Sequence, residues 1–163
     1  MIIINHRVNT ISKLLKTNNI FGVEIDIRSY KNNLILNHEP FIDSVSFENW
    51  IKKYNHNFLI ANIKEEGIEY EVIRIINKYK IQNYFLLDVT PPQILNLNKK
   101  NLFNIANRIS KYESSENLKC YKQKNKWLWV DTCDGNIPLD IKRIKELKQM
   151  KFKLCLVSPE LPL

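Results

Sequence analysis

Apolar and polar positions alternate most sharply in GVEIDIR, residues 22–28, where Val23, Ile25 and Ile27 interleave with Glu24, Asp26 and Arg28. Successive side chains of a strand point to opposite faces. The stretch therefore predicts a strand with one branched aliphatic face and one face carrying two acids and a base. After a tight connection, LIL at 34–36 predicts a short second strand. The other apolar runs are nearly continuous: IIIN (2–5), the core of HNFLIANIKEEG (56–67), NYFLLDVT (83–90), LFNIANRIS (102–110), KWLWVDTCDG (126–135) and FKLCLVSPE (152–160). Runs such as FLL, LWV and LCLV suit strands covered on both faces.

Between these runs the period changes to that of helices. NTISKLLKTNN (9–19) predicts a helix capped by Thr10 or Asn9, with Ile11, Leu14 and Leu15 inward. FENWIKKYN (47–55) places Phe47, Trp50, Ile51 and Tyr54 on one side. IEYEVIRIINKYK (68–80) and DIKRIKELKQMK (140–151) are amphipathic, the second with Ile141, Ile144 and Leu147 inward, and Pro91-Pro92 opens a short helix. The polar stretch KYESSENLKCYKQKN (111–125) reads as loop with weak helix.

Strand followed by helix, repeated, argues for an α/β fold with a parallel sheet. Seven such strands are expected, in a single domain over residues 1–163. Polar residues fall at the C-terminal ends of nearly all of them: His6-Arg7, Glu24/Asp26, Asn62/Lys64, Asp88, Arg108, Asp131 and Ser158/Glu160. A (β/α)8 TIM barrel gathers such ends at one mouth. A doubly wound sheet should carry a Gly-rich phosphate loop, and with 3 glycines and no GxGxxG the chain lacks one. The expectation is a barrel of this type with seven strands present and the eighth missing.

Composition changes this picture little. No run approaches the roughly 20 apolar residues of a membrane span, and no secretory leader is recognisable, so cytoplasmic residence is expected. The 3 cysteines, Cys120, Cys133 and Cys155, form no CxxC pair, which indicates neither a disulfide framework nor a zinc site. The net charge of +8 is scattered in short lysine doublets without a recognition motif, so no nucleic-acid partner is expected.

Candidate chemistry centres on Glu24 and Asp26. Two residues apart on a strand, their carboxylates lie about 7 Å apart on one face, within reach of a shared cation. His38 returns on the hairpin twelve residues after Asp26. The bland alternative is a solvated polar face on an edge strand. His56, flanked by asparagines, reads as a solvent-exposed loop residue. Trp127 and Trp129 share one strand face, as packing or as a stacking platform.

His6-Arg7, Asn9-Thr10, GVEIDIR, LILNHEP and the later Asn62-x-Lys64 together resemble the glycerophosphodiester phosphodiesterase family. Its pattern is HRG…ENT…E-x-D…HD followed by E-x-K. The resemblance covers residues 2–64 by motif and the later strands by rhythm. It implies a TIM barrel of the phospholipase-C-like superfamily and a phosphoric diester hydrolase acting on a small or glycan-linked phosphodiester, a reading that touches lipid metabolism and surface polysaccharide. It also implies His6 and His38 as the acid/base pair, since imidazole titrates near neutrality. Glu24, Asp26 and Asn62 would hold a divalent cation, Ca²⁺ or Mg²⁺, with Arg7 and Lys64 on the phosphate. In the family scheme a substrate hydroxyl attacks phosphorus and water opens the resulting cyclic phosphate.

Three positions depart from that pattern. Asn62 stands where the family has a glutamate and so brings no charge, with Glu65 or Glu66 as candidate substitutes. Val8 stands in the place of a glycine. Glu39 stands in the place of the aspartate after the histidine. The chain also stops where relatives continue past a similar VSPEL, which implies C-terminal truncation and open sheet edges through which an oligomer can form. The alternative to hydrolysis is a weak or inactive barrel that binds a phosphorylated glycan or partner.

Overall fold

Three helices start where the sequence supplies a cap. Thr10 accepts from the Lys13 N–H, Ser46 from that of Asn49 and Asp140 from that of Arg143. The structure, a computed structural model, describes residues 1–114, 116, 118, 126–133 and 135–158. Cys120, Glu160 and most of the polar stretch 111–125 lie outside the described residues. The chain is α/β and divides into two compact units, Met1–Val89 and Thr90–Leu163.

The first unit contains β1 (Ile4–Asn5), α1 (Ile11–Lys16), β2 (Gly22–Tyr30), β3 (Asn33–Leu36), α2 (Phe47–Ile51), β4 (Phe58–Ile63), α3 (Glu69–Lys78) and β5 (Tyr84–Leu87). Its sheet runs β1-β2-β4-β5 with every neighbour parallel, and β3 folds back antiparallel onto the end of β2. Parallel neighbours demand a crossover, and the helices supply it. The tight β2–β3 connection holds Lys31 and Asn32 at positive φ.

Register decides what shares a face. Asp26 is opposite Asn62, and Asn62 is opposite Leu87. One face of the sheet therefore carries Glu24, Asp26, Asn62 and Lys64 towards the strands' C-terminal ends. The other is aliphatic, with Val23, Ile25, Ile27, Leu59, Ala61 and Leu86 all buried. Gly22 is dictated by close approach, because a Cβ there would stand 2.3 Å from Ile4 Cδ1 and 3.0 Å from the Phe58 carbonyl oxygen.

The second unit contains α4 (Pro91–Lys99), β6 (Ala106–Ile109), β7 (Trp127–Val130), α5 (Ile141–Gln149) and β8 (Lys153–Leu156). Its strands form a parallel sheet in the order β6-β7-β8. Leu147 of α5 packs with Ile109, Leu118, Leu128 and Phe152 in a local core. Seven parallel strands are thus present among the described residues, in ladders of four and three.

Several local expectations are corrected. Ile2 and Ile3 are exposed, and only Ile4 and Asn5 pair with β2, so IIIN is not a fully buried strand. Of the inward set for α1 only Leu14 is buried, with Leu15 67% exposed, because a helix of 6 residues presents one narrow stripe. Ile141 is likewise exposed at the first turn of α5. His56 is not a free loop residue, since its Nε2 lies 3.0 Å from the Thr17 carbonyl oxygen and its ring is against Tyr54. The packing reading holds for Trp129, which is buried and donates to Asp131 Oδ2 at 3.2 Å.

Candidate active site

β2 is an interior strand, flanked by β1 and β4, and that fact sets the chemistry of its acids. Glu24 is fully buried and Asp26 is 1% exposed, which removes the reading of a solvated edge-strand face. A buried carboxylate must be compensated by donors or positive charge. Glu24 Oε2 accepts from the Arg7 backbone N–H at 2.8 Å, and Oε1 accepts from Asn62 Nδ2 at 2.9 Å. Asp26 is clasped by Asn9, whose Nδ2 donates to Oδ2 at 2.8 Å while its Oδ1 accepts from the Asp26 N–H at 2.9 Å.

The turn after β1 delivers these donors. Arg7 sits at φ 53, in the left-handed region, which turns its N–H onto Glu24. Val8, buried, occupies the glycine position of the motif without positive φ, so the left-handed residue here is Arg7. The Val8 N–H donates to the Glu24 carbonyl, and the Val8 carbonyl accepts from the buried Trp50 indole at 3.0 Å. Lys13 closes the turn by donating to the His6 and Arg7 carbonyls at 2.8 and 2.7 Å.

Around the pair stand the remaining polar groups. His6 Nε2 lies 3.7 Å from Glu24 Oε2. Lys64 Nζ lies 3.3 Å from Asp26 Oδ1 and 3.7 Å from Asp88 Oδ2. His38 is held through its backbone: Asn37 donates to the Asp26 carbonyl, and Arg28 Nε donates to the His38 carbonyl at 3.0 Å. Arg28 also donates to the Lys64 carbonyl at 3.0 Å, tying the two loops together. On the side chain, His38 Nδ1 is 2.7 Å from Glu39 Oε1. A carboxylate only accepts, so Nδ1 carries the proton and Nε2 is the nitrogen left for chemistry.

The electrostatics follow from burial. Desolvation and the Asp26 charge push Glu24 up to about 7, against the opposing pull of the Arg7 and Asn62 donors and Lys64. His6 is held below its ordinary value, first by burial and then by Arg7, so at neutral pH it is an uncharged base. Glu39 is lowered by its hydrogen bond to His38.

Two acceptor oxygens in this cluster, Asp26 Oδ1 and Asn62 Oδ1, are buried without any hydrogen bond. Lys64 is within ion-pair range of the first but makes no hydrogen bond to it. Asp26 and Asn62 are register partners on neighbouring strands, and these oxygens together with those of Glu24 are donors of the kind hard cations take. The set has only two charges; among the described residues no group of three His, Cys, Asp or Glu side chains has metal-holding geometry. Glu65 does not stand in for Asn62, because its Oε1 accepts from the Ser29 N–H at 2.8 Å, and Glu66 is exposed.

Sequence reasoning missed Asn9 and Arg28 as site residues. Asn9 enters the sequence reading as a helix cap, a task Thr10 performs, and as part of the family motif with no role of its own. In the second unit Arg108 pairs with Asp131, the salt-bridge role open to strand-end residues.

No family model matches the chain, and a search of curated proteins yields no match. Two solved structures share its fold. One, assigned as a glycerophosphoryl diester phosphodiesterase from Agrobacterium tumefaciens, has a TM-score of 0.67 at 11% identity over 94% of this chain and 83% of that one. The other, a glycerophosphoryl diester phosphodiesterase from Parabacteroides distasonis, has a TM-score of 0.50 at 10% identity over 97% and 82%. At such identities the likeness is one of backbone architecture, and on that ground the chain has the α/β fold of glycerophosphoryl diester phosphodiesterases.

Proposed function

We propose that the chain is a metal-dependent phosphodiester hydrolase acting on a small or glycan-linked phosphodiester, on a (β/α)8-type barrel. The observation that carries the reading is the buried Glu24–Asp26–Asn62 cluster with two unpartnered oxygens, beside His6, on a fold shared with phosphodiesterases. Glu24, Asp26 and Asn62 would hold Ca²⁺ or Mg²⁺, which supplies charge neutralisation at a phosphoryl oxygen. Uncharged His6 takes a proton as base, and His38, oriented by Glu39, gives or takes one at Nε2. Arg7, exposed at the turn, and Lys64 neutralise the phosphate. Hydrolysis of bis(p-nitrophenyl) phosphate and of glycerophosphodiesters with Ca²⁺, Mg²⁺ or EDTA tests this. Turnover that needs the cation and is lost in His38→Ala is expected, and cation-independent turnover surviving that substitution refutes it.

One observation favours a second reading, a weak or inactive barrel that binds a phosphorylated ligand. Asn62 turns its amide nitrogen, not an acid, towards Glu24. A folded chain with no turnover but a melting temperature raised by phosphodiesters would select it.

A further inference from the structure

Lys64 is shared. Its ammonium stands between Asp26 of β2 and Asp88, the first residue past β5, at 3.3 and 3.7 Å. Asp88 is no ordinary continuation of its strand. Leu87 lies beside Asn62 on the site face, so an extended Asp88 would point to the opposite face. Instead Asp88 has φ 60, and this left-handed turn brings its carboxylate back to Lys64. Aspartate and asparagine are the non-glycine residues that tolerate such a conformation best.

From this arrangement we infer that Asp88 is a positioning residue for the proposed cation site. It gives the Lys64 ammonium, which pairs with Asp26 Oδ1, a second carboxylate to hold when a cation takes that oxygen. The inference rests on the reading of Glu24 and Asp26 as cation ligands. Asp26 Oδ2 is taken by Asn9, so Oδ1 is the oxygen left for an ion, and Lys64 is its competitor. Were a divalent cation held there, the Lys64 ammonium would be displaced from Asp26, and Asp88 is the carboxylate left to pair with it. In that position Lys64 would stand at the edge of the site, within reach of a bound phosphate.

The test is Ca²⁺ titration calorimetry on the full chain and on Asp88→Asn, Asp88→Glu, Lys64→Met and the Asp88→Asn/Lys64→Met double variant. Asparagine keeps the left-handed backbone and removes only the charge. Asp88→Asn should weaken Ca²⁺ binding about 10- to 100-fold, the range for outer-shell partners of metal ligands. Glutamate should restore part of the loss. In the Lys64→Met background the same substitution should change affinity less than about twofold, since no competitor is left to hold. Unchanged affinity in Asp88→Asn, or an equal loss with and without Lys64, overturns the inference.

A second readout needs no cation. In EDTA, the Nζ resonance of Lys64, identified by its disappearance in Lys64→Met, should move in Asp88→Asn and stay in Asp43→Asn. A resonance indifferent to position 88 overturns the hold of Asp88 on Lys64. A wild-type chain that takes up no Ca²⁺ while that resonance responds would refute the metal-dependent reading and leave Asp88's hold on Lys64 standing.

Discussion

Glu24→Gln should make the cation-free protein less sensitive to pH. In the folded chain Glu24 holds its proton to about 7, whereas an unfolded glutamate loses it near 4.5. Between these values the folded state binds more protons, so stability falls as pH rises through that window and levels off above 7. A gap of that size is worth about 3 kcal/mol, at about 1.4 kcal/mol for each pH step, and most of it falls between pH 5 and 8. Depressed His6 works in the opposite sense over part of the same range. The quantity to read is therefore the difference between wild type and variant. Asp26, Lys64, Arg7 and His6 all face Glu24 and are unchanged by the substitution.

Glutamine fits without new strain. Its oxygen can accept from the Arg7 N–H, and its amide can donate to Asn62 Oδ1, now unpartnered, once the Asn62 amide turns over. The assay is urea unfolding at pH 5 and pH 8 in EDTA, with hydrogen exchange of the β2 and β4 amides reporting the sheet that carries Glu24. Wild type should lose about 2 to 3 kcal/mol more than Glu24→Gln across that interval. Parallel pH profiles would refute the claim that burial beside Asp26 strains Glu24.

Further outcomes follow from the same geometry. His6→Ala and His38→Ala should each lower phosphodiester turnover by about 10²- to 10⁴-fold while leaving urea unfolding unchanged, which steady-state rates beside a denaturation curve will check. Asn9→Ala strips a donor from the Asp26 carboxylate and an acceptor from its N–H, both buried, and should cost about 2–3 kcal/mol by the same unfolding assay. Asn62→Glu adds a third carboxylate and should tighten Ca²⁺ binding about tenfold in calorimetry, while lowering the melting temperature in EDTA.

The strand and helix rhythm was legible because period 2, period 3.6 and capping residues are local properties, and Thr10, Pro91 and Asp140 mark helix starts in both sequence and structure. The acid pair was legible for the same reason, as Glu24 and Asp26 share a face in any strand. Their burial was not, since it depends on β1 and β4 flanking β2. Nor was the clasp of Asn9 on Asp26, across 17 residues, or the bridge of Arg28 between His38 and Lys64. These are tertiary bonds with no periodic signature. Leu15 and Ile141 fail the other way, because short amphipathic helices bury only the residues their neighbours reach.

What unites the site is an excess of acceptors over donors. Glu24 and Asp26 are buried side by side with Lys64 as the near cation, and two oxygens are left over. A proton relieves part of that excess, which is the meaning of the raised Glu24 value, but protonated Glu24 needs an acceptor and so requires Asn62 to turn Oδ1 towards it. On the proposed reading, a divalent cation would draw on both leftover oxygens with Glu24 ionised and Asn62 as it stands. A glutamate at position 62 would bind that cation more tightly, yet without it would set a third buried negative charge against the first two. On that reading asparagine would give up affinity while sparing the cation-free fold a third buried charge. The remaining negative charge, on Asp88, is placed where Lys64 can neutralise it.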